Sequence, residues 1–262
     1  MPRLTDDSLA AFYDNEYQLL YTGAGEAPDT YLKGQRIRGT NISQSVAGSL
    51  PVGSYVVDIG CGAGWALLPF REEGHRVAGC DLGGTFLEAG RAQGLDLRHG
   101  DHTTLTDIGP FDLVILSHVF EHLTDPRKLM DDIKPMLAPS GLVYVEVPGP
   151  QRISTDFGDP RRYFQNAHLW NFDLGSLTAT MAGFGYRQVK GNEFIRSLFI
   201  PDDAVAPADR GGYDRAVKTL SRAEAVRPFY EGRRKAKAVA RRTLGAERAS
   251  KLRRIAVSVR GN

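Results

Sequence analysis

Cysteine is scarce in this chain of 262 residues, which holds only Cys61 and Cys80. Two thiols make no zinc framework by themselves. Each lies beside the expected end of a strand, so both read as reduced and structural rather than as a disulfide. A run of about 18 apolar residues occurs nowhere, which argues against a transmembrane helix. The opening stretch, MPRLTDDSLAAFYDNEY, lacks an apolar signal core and carries acids instead, so the expected location is cytoplasmic. No internal repeat is present. An excess of one charge is also missing, since 33 Lys and Arg face 31 Asp and Glu.

That balance conceals an asymmetry. From Arg227 to Asn262 there are 12 Lys or Arg against 2 Asp or Glu, so a mildly acidic body carries a strongly basic tail. Within the tail Leu252, Ile255, Ala256 and Val259 recur at helical spacing among the basic residues. A basic amphipathic helix of this kind fits the anionic inner face of a membrane. A solvated tail, or a helix packed on a second subunit of a homodimer, are the other readings. Nucleic acid is the weaker polyanion here, because the tail interleaves no aromatics and the acidic body would repel phosphates.

What is present is alternation. SYVVDIG (54–60), a short apolar run ending in glycine, RVAGCD (76–81), LDLRHG (95–100), FDLVILS (111–117) and GLVYVEVP (141–148) read as strands, FDLVILS as a buried one. WALLPFREEG (65–74), TFLEAGRAQG (85–94), PRKLMDDIKPML (126–137) and DLGSLTATMAGFG (173–185) read as helices between or after them. YRQVKG and FIRSLFI close the series as a hairpin. The pattern predicts an α/β fold with a mostly parallel sheet, helices on both faces and an antiparallel final strand. The domain reading is a helical N-terminal lid over 1–50, a central domain over 51–201, and a C-terminal helical extension with the basic tail over 202–262.

The sharpest motif is Asp58-Ile59-Gly60-Cys61-Gly62-Ala63-Gly64, which follows one strand and opens a helix. Glycines there let the backbone turn tightly and approach a ligand. Asp81 ends the next strand, where a carboxylate can accept from ribose hydroxyls, and Asp101 follows the third strand. A nicotinamide reductase would show G-x-G-x-x-G, but Trp65 and Ala66 stand where that pattern continues.

These residues resemble the class I S-adenosylmethionine (SAM)-dependent methyltransferases, whose first motif is D-I-G-C-G-x-G, with FDLVILSHVFEHLTDP and PSGLVYVEVPGP carrying the likeness onward. The resemblance covers roughly residues 50–190. It implies a Rossmann-like seven-stranded sheet in the order 3-2-1-4-5-7-6 and SAM as cofactor, with S-adenosylhomocysteine as product. It also implies that Asp58, Gly60, Cys61, Gly62 and Gly64 line the methionine part and that Asp81 holds the ribose. Leu82 would pack on the adenine, Asp101 and His102 would lie at its edge, and Ser117-His118 would lie beside the cofactor. Tyr31 and Arg36 of the lid would cover it, although Tyr13, Tyr17, Tyr21 and Arg38 lie in the same loose aromatic and basic segment.

Methyl transfer from a sulfonium is an in-line displacement, and a hydroxyl acceptor also needs a base. His118, His122 and His168 are the candidates. His118, Glu121 and His122 stand at i, i+3 and i+4, which would share one helical face. Such a face suits a base with an orienting carboxylate. It is also similar to the E-x-x-E-H stretch of quinone-precursor O-methyltransferases, where a divalent metal is the alternative, although no metal is expected here. Asn166-Ala167-His168-Leu169-Trp170-Asn171-Phe172 resembles the H-x-W/Y-x-F segment of sugar-pathway methyltransferases. Tyr163, Phe164 and Trp170 suit packing on sugar rings, and Arg161 and Arg162 suit a phosphate or carboxylate. The leading expectation is therefore O-methylation of a sugar hydroxyl in a glycan, polysaccharide or nucleotide-sugar pathway. O-methylation of a small aromatic or polyketide-like product and C-methylation of a nucleotide sugar stay open. So does a non-catalytic SAM-binding scaffold.

Overall fold

The computed structural model describes residues 26–150, 153, 159–164, 167–208 and 211–258, with side chains placed for all of these but 161, 162, 237 and 240–258. Tyr13, Tyr17 and Tyr21 of the expected lid, and the side chains of Arg161 and Arg162, therefore lie outside the described residues.

The chain divides into two compact units, the first formed by Met1–Gly149 with Ala167–Arg210. It is built on seven strands: β1 Tyr55–Ile59, β2 Arg76–Asp81, β3 Asp96–His99, β4 Phe111–Ser117, β5 Leu137–Glu146, β6 Tyr186–Asn192 and β7 Arg196–Pro201. Their order is β3-β2-β1-β4-β5-β7-β6, the expected one, parallel throughout except that β7 runs antiparallel to β5 and β6. The apolar runs become strands because both faces are covered. All five residues of β1 are buried, Asp58 among them.

Helix α1 (Asp29–Val46), α2 (Leu68–Glu72) and α3 (Gly84–Arg91) supply Ile42, Val46, Phe70 and Leu87 to one face of the sheet, against Val56, Leu113, Ile115 and Tyr144. Helix α4 (Pro126–Ile133) adds Leu129, Met130 and Ile133 to the opposite face, against Val57, Val114 and Val143. Removing each such side chain from water is worth about 1.5–3 kcal/mol, so both faces must be capped for the sheet to stand.

Some boundaries differ from the sequence reading. The expected helix over 65–74 begins as a 3-10 turn at Trp65–Leu67 and becomes α-helical only at α2. Strand β5 starts early, at Leu137, because Phe111 pairs with Leu137 before the register shifts to Leu113 opposite Leu142. Short helix α5 (Pro160–Tyr163) belongs to the second unit. Helix α6 (Leu174–Gly183) returns to the first, starting at a reciprocal cap in which Asp173 accepts from the Ser176 amide and Ser176 accepts from the Asp173 amide.

The second unit joins Pro150–Asn166 to Gly211–Asn262. It contains α5 and the long helix α7 (Gly212–Ser258), with Ile153, Tyr163 and Ala223 buried together beside Leu220. Tyr213, Val217 and Phe229 of α7 are exposed. No helix among the described residues is long and apolar enough to cross a membrane.

Candidate functional site

The strand order reverses between β1 and β4, and ligands of open α/β sheets bind in the crevice at the carboxyl ends beside such a switch. The turn after β1 lies there. Gly60, Gly62 and Gly64 have φ of 75°, 56° and 71°, conformations that only glycine takes readily. A Cβ on Gly60 would collide with Val119, and one on Gly62 with the Tyr31 hydroxyl and Gln35. Asp81 ties this turn to β2: its Oδ2 accepts from the Gly62 amide and its Oδ1 from the Gly83 amide, both at 2.7 Å. Burial pushes the Asp81 carboxyl up, and those two donors oppose the shift. Both cysteines are free and buried, and burial raises the Cys61 thiol well above its usual range, so neither is a thiolate.

Beneath the turn, Asp58 is 3% exposed and its Oδ1 has no hydrogen-bond partner among the described residues. Burial raises its carboxyl to about 8, against a downward pull from Arg38. A buried, orphaned acid needs a cationic donor to be satisfied. The ammonium of an amino acid is such a donor, so the cradle fits the methionine part of SAM. Asp101 caps the 3-10 turn His102–Leu105 through Oδ1, leaving Oδ2 without a partner among the described residues. Burial acts upward on its carboxyl, but the Thr103 hydrogen bonds hold it below the ordinary range. Leu82 is exposed beside Asp81, as packing on a base requires.

Other expected cofactor residues are placed differently. The Arg36 guanidinium is held by the Glu72 carboxylate at 2.7 Å, so it is engaged outside the turn. Arg38, two residues on, acts electrostatically on Asp58, Tyr31 and Tyr144, and has no ion pair among the described residues. The His102 ring meets Asp132 of α4 at 3.0 Å, which makes it a tether between the third-strand turn and a helix. Tyr31 does reach the glycine turn, stacked edge-on against Phe86. Gln35 was not singled out by any motif. It is buried, its amide nitrogen donates to Cys61 O and to the Tyr31 hydroxyl at 2.9 Å, and its oxygen accepts from the Trp65 amide at 3.2 Å. A lone amide on a helix carries no sequence signal.

The three candidate histidines gather around one carboxylate. The His118 ring nitrogen Nδ1 lies 3.3 Å from Glu121 Oε1, and His122 Nε2 lies 3.8 Å from the same atom. His122 Nδ1 donates to Ala167 O at 2.8 Å, so the ring is fixed with Nε2 towards Glu121. Residues 167–170 are stitched to this corner, since the Leu169 and Trp170 amides donate to Glu121 O and the Trp170 indole donates to Leu123 O. His168 consequently sits with its ring 4.9 Å from that of His122. Burial holds His168 below the ordinary histidine range. Glu121 is 1% exposed; burial pushes its carboxyl up, but the His118 hydrogen bond and the charges of His118 and His122 outweigh it and keep the group ionised.

Metal-ligand geometry is met by a different set from the one read in sequence. Atoms of Glu121, His122 and His168 lie within 4.8 Å of one another, and His118 is not among them. The i, i+3, i+4 face expected of His118, Glu121 and His122 does not form, because His118 has a left-handed φ of 60° and only a 3-10 turn, Phe120–His122, follows.

With this geometry in place, comparison with known proteins decides the family. A family model described as a methyltransferase domain matches residues 36–190, more than half of the chain. The chain belongs to this methyltransferase family. It is a SAM-dependent class I methyltransferase. Among curated relatives, the ubiquinone biosynthesis O-methyltransferase of Rhodopseudomonas palustris (strain BisA53) is 31% identical over 99 residues, 36% of this chain and 39% of that protein. The enzyme of the same name from Brucella melitensis biotype 2 is 34% identical over 96 residues, 34% and 39% respectively. The matched stretch thus spans well under half of these relatives.

Two solved structures share the fold. The Burkholderia thailandensis 1,6-didemethyltoxoflavin-N1-methyltransferase, with bound 1,6-didemethyltoxoflavin and S-adenosylhomocysteine, superposes with TM-score 0.52 at 15% identity, covering 76% of this chain and 90% of that one. The magnesium protoporphyrin IX methyltransferase of Synechocystis PCC 6803, with bound S-adenosylhomocysteine, gives 0.51 at 14% identity, covering 74% and 98%.

Proposed function

We propose that this methyltransferase methylates a hydroxyl oxygen, with His118 as the base. The observation that carries the reading is the His118–Glu121 pair: the buried, ionised carboxylate engages Nδ1, and Nε2 has no partner among the described residues in a side chain that is 24% exposed. In this arrangement the acceptor O–H bond breaks as a proton passes to Nε2, and Glu121 stabilises the imidazolium that forms. SAM, when bound, supplies an electrophilic methyl group on a sulfonium. The chain's own part is to hold it: Asp58 would take its ammonium, Arg38 its carboxylate, Asp81 the ribose hydroxyls, and Leu82 with Asp101 the adenine. His122 and His168 wall the acceptor side.

For the acceptor, the O-methyltransferase names of the curated relatives favour an aromatic hydroxyl over the sugar hydroxyl that residues 160–172 suggested. The basic charge of α7 and its exposed Tyr213, Val217 and Phe229 favour attachment to an anionic membrane, which suits an acceptor with a lipid-like chain. The deciding experiment is a screen of S-adenosylhomocysteine formation with ortho-diphenols and with nucleotide sugars. Turnover of the diphenols supports the reading. Turnover of sugars alone returns the acceptor to a carbohydrate.

A further inference from the structure

A polar row on the sheet joins Ser117, expected beside the cofactor, to Glu146 and Arg196, which no sequence motif singles out. Ser117 at the end of β4 pairs in register with Glu146 at the end of β5, and Glu146 with Arg196 at the start of β7. Residues directly opposed across strands project to the same face, so the three side chains form one row across the carboxyl ends of β4 and β5 and the start of β7, with β4 next to β1. Glu146 is 4% exposed and both its oxygens are engaged, Oε1 by Arg196 Nε at 2.9 Å and Oε2 by the Tyr144 hydroxyl at 3.3 Å.

We propose that Arg196, held by Glu146, is an anion subsite that takes a carboxylate or phosphate group of the methyl acceptor. The inference rests on the hydroxyl-methylation reading above. A guanidinium that serves only as an ion-pair partner commonly offers a carboxylate two parallel N–H groups. Here only Nε is spent on Glu146, while both Nη groups have no partner among the described residues and the side chain is 41% exposed. That leaves a planar pair of charged donors for an oxyanion. Ser117 Oγ, on the other side of Glu146 in the row, is buried without a hydrogen-bond partner among the described residues, a deficit that a ligand on this row would remove.

The backbone supports the assignment independently. Only two non-glycine residues among those described have left-handed φ, His118 at 60° and Ile195 at 55°. For a β-branched residue this conformation is a clear outlier, and such strain costs about 1–3 kcal/mol. The two grip the same strand end. The His118 amide donates to Glu146 O at 2.8 Å, and Ile195 O accepts from the Val147 amide at 3.3 Å. These hydrogen bonds tie His118 to one side of the β5 end and Ile195, the residue before Arg196, to the other. Two strand spacings separate β4 from β7, about 10 Å, a gap that an aromatic ring bearing a hydroxyl and an acidic group bridges with the help of the arginine's own length.

The test is nuclear magnetic resonance of the full chain, labelled with 15N-arginine and saturated with S-adenosylhomocysteine, titrated separately with benzoate and with inorganic phosphate. The Arg196 Nε resonance is identified by its absence in Arg196→Lys. We expect it to shift saturably with at least one anion; benzoate alone identifies a carboxylate subsite, and phosphate identifies a phosphate subsite. In a uniformly 15N-labelled sample the benzoate or phosphate Kd, followed on the Ser117 amide, rises about tenfold or more from the native chain to Arg196→Gln, the loss expected for a charged hydrogen-bonded partner. An Arg196 resonance that moves with neither anion, or affinity unchanged in Arg196→Gln, overturns the proposal. S-adenosylhomocysteine binding reads separately, so its failure counts against the cofactor assignment and not against the subsite.

Discussion

His118 Nδ1 stands 3.3 Å from Oε1 of Glu121, a carboxylate only 1% exposed. The pair combines the left-handed backbone of His118, which lifts its ring out of the line of β4, with a carboxylate kept ionised in a buried corner by the histidines around it. Replacing His118 with Ala should therefore lower kcat by about 10²–10⁴-fold, the usual worth of a positioned base, with S-adenosylhomocysteine affinity unchanged. Glu121→Gln should lower kcat less and shift the alkaline-rising limb of the pH–rate profile, since the amide cannot stabilise the imidazolium. Steady-state kinetics over pH check both; a full-rate His118→Ala enzyme retires His118 as the base.

Asp58 links stability to binding with opposite signs. Its carboxyl is raised to about 8 by burial, against an unfolded value of about 3.9. A raised acid favours the folded state while it is protonated, so its contribution is complete below about pH 4 and is lost as pH climbs towards 8. The ligand-free protein should accordingly melt at lower temperature at pH 8 than at pH 5, and Asp58→Asn should flatten that decline. The same variant should bind S-adenosylhomocysteine more weakly, because the neutral amide cannot pair with the ammonium. Thermal melts across pH, with and without ligand, measure both signs.

Gln35 holds two groups of the glycine turn, Cys61 O and the Trp65 amide, and the Tyr31 hydroxyl with one side chain. Leucine of similar size leaves the Trp65 amide unpaired, at about 1–3 kcal/mol, and leaves the Cys61 carbonyl with the Gly64 amide as donor. Gln35→Leu should lower Tm and weaken S-adenosylhomocysteine binding together. An unaltered melt would show that the turn holds itself.

The sheet was legible because both faces of its central strands are covered, which makes β1 and β4 apolar runs, whereas β3, with only Leu97 buried, shows itself by its place in the alternation. The same logic located Asp58 and Asp81, whose types and places at strand ends need no tertiary knowledge. Arg36 and Arg38 were not separable in sequence: they are two positions apart on α1, so they point to nearly opposite sides of the helix, and only packing decides which one faces Asp58. Gln35 and Arg196 left no trace, one a neutral amide on a helix and the other brought to the site by an antiparallel strand far along the chain. His168 reads in the sequence as a candidate base, but its meeting with His122 depends on backbone hydrogen bonds from 169 and 170 to Glu121 that no spacing rule encodes.

The basic segment of α7 makes a separate prediction. Removing residues 232–262 should leave S-adenosylhomocysteine affinity intact and reduce partition onto vesicles containing anionic lipid, each basic residue near such a surface being worth about 1 kcal/mol. Vesicle sedimentation at two salt concentrations checks it, and unchanged partition ends the membrane reading.

The measurement that bears most directly on the whole account is calorimetric titration of S-adenosylhomocysteine into the full chain and into Asp81→Ala, with NADH as the control ligand. Asp81 joins β2 to the glycine turn through Gly62 and Gly83 and would accept from the ribose. The account predicts micromolar binding of S-adenosylhomocysteine alone, weakened by about tenfold or more in the variant, the loss of one or two hydrogen bonds to a charged group. Equal affinity in the two proteins, or binding of NADH in its place, would contradict it.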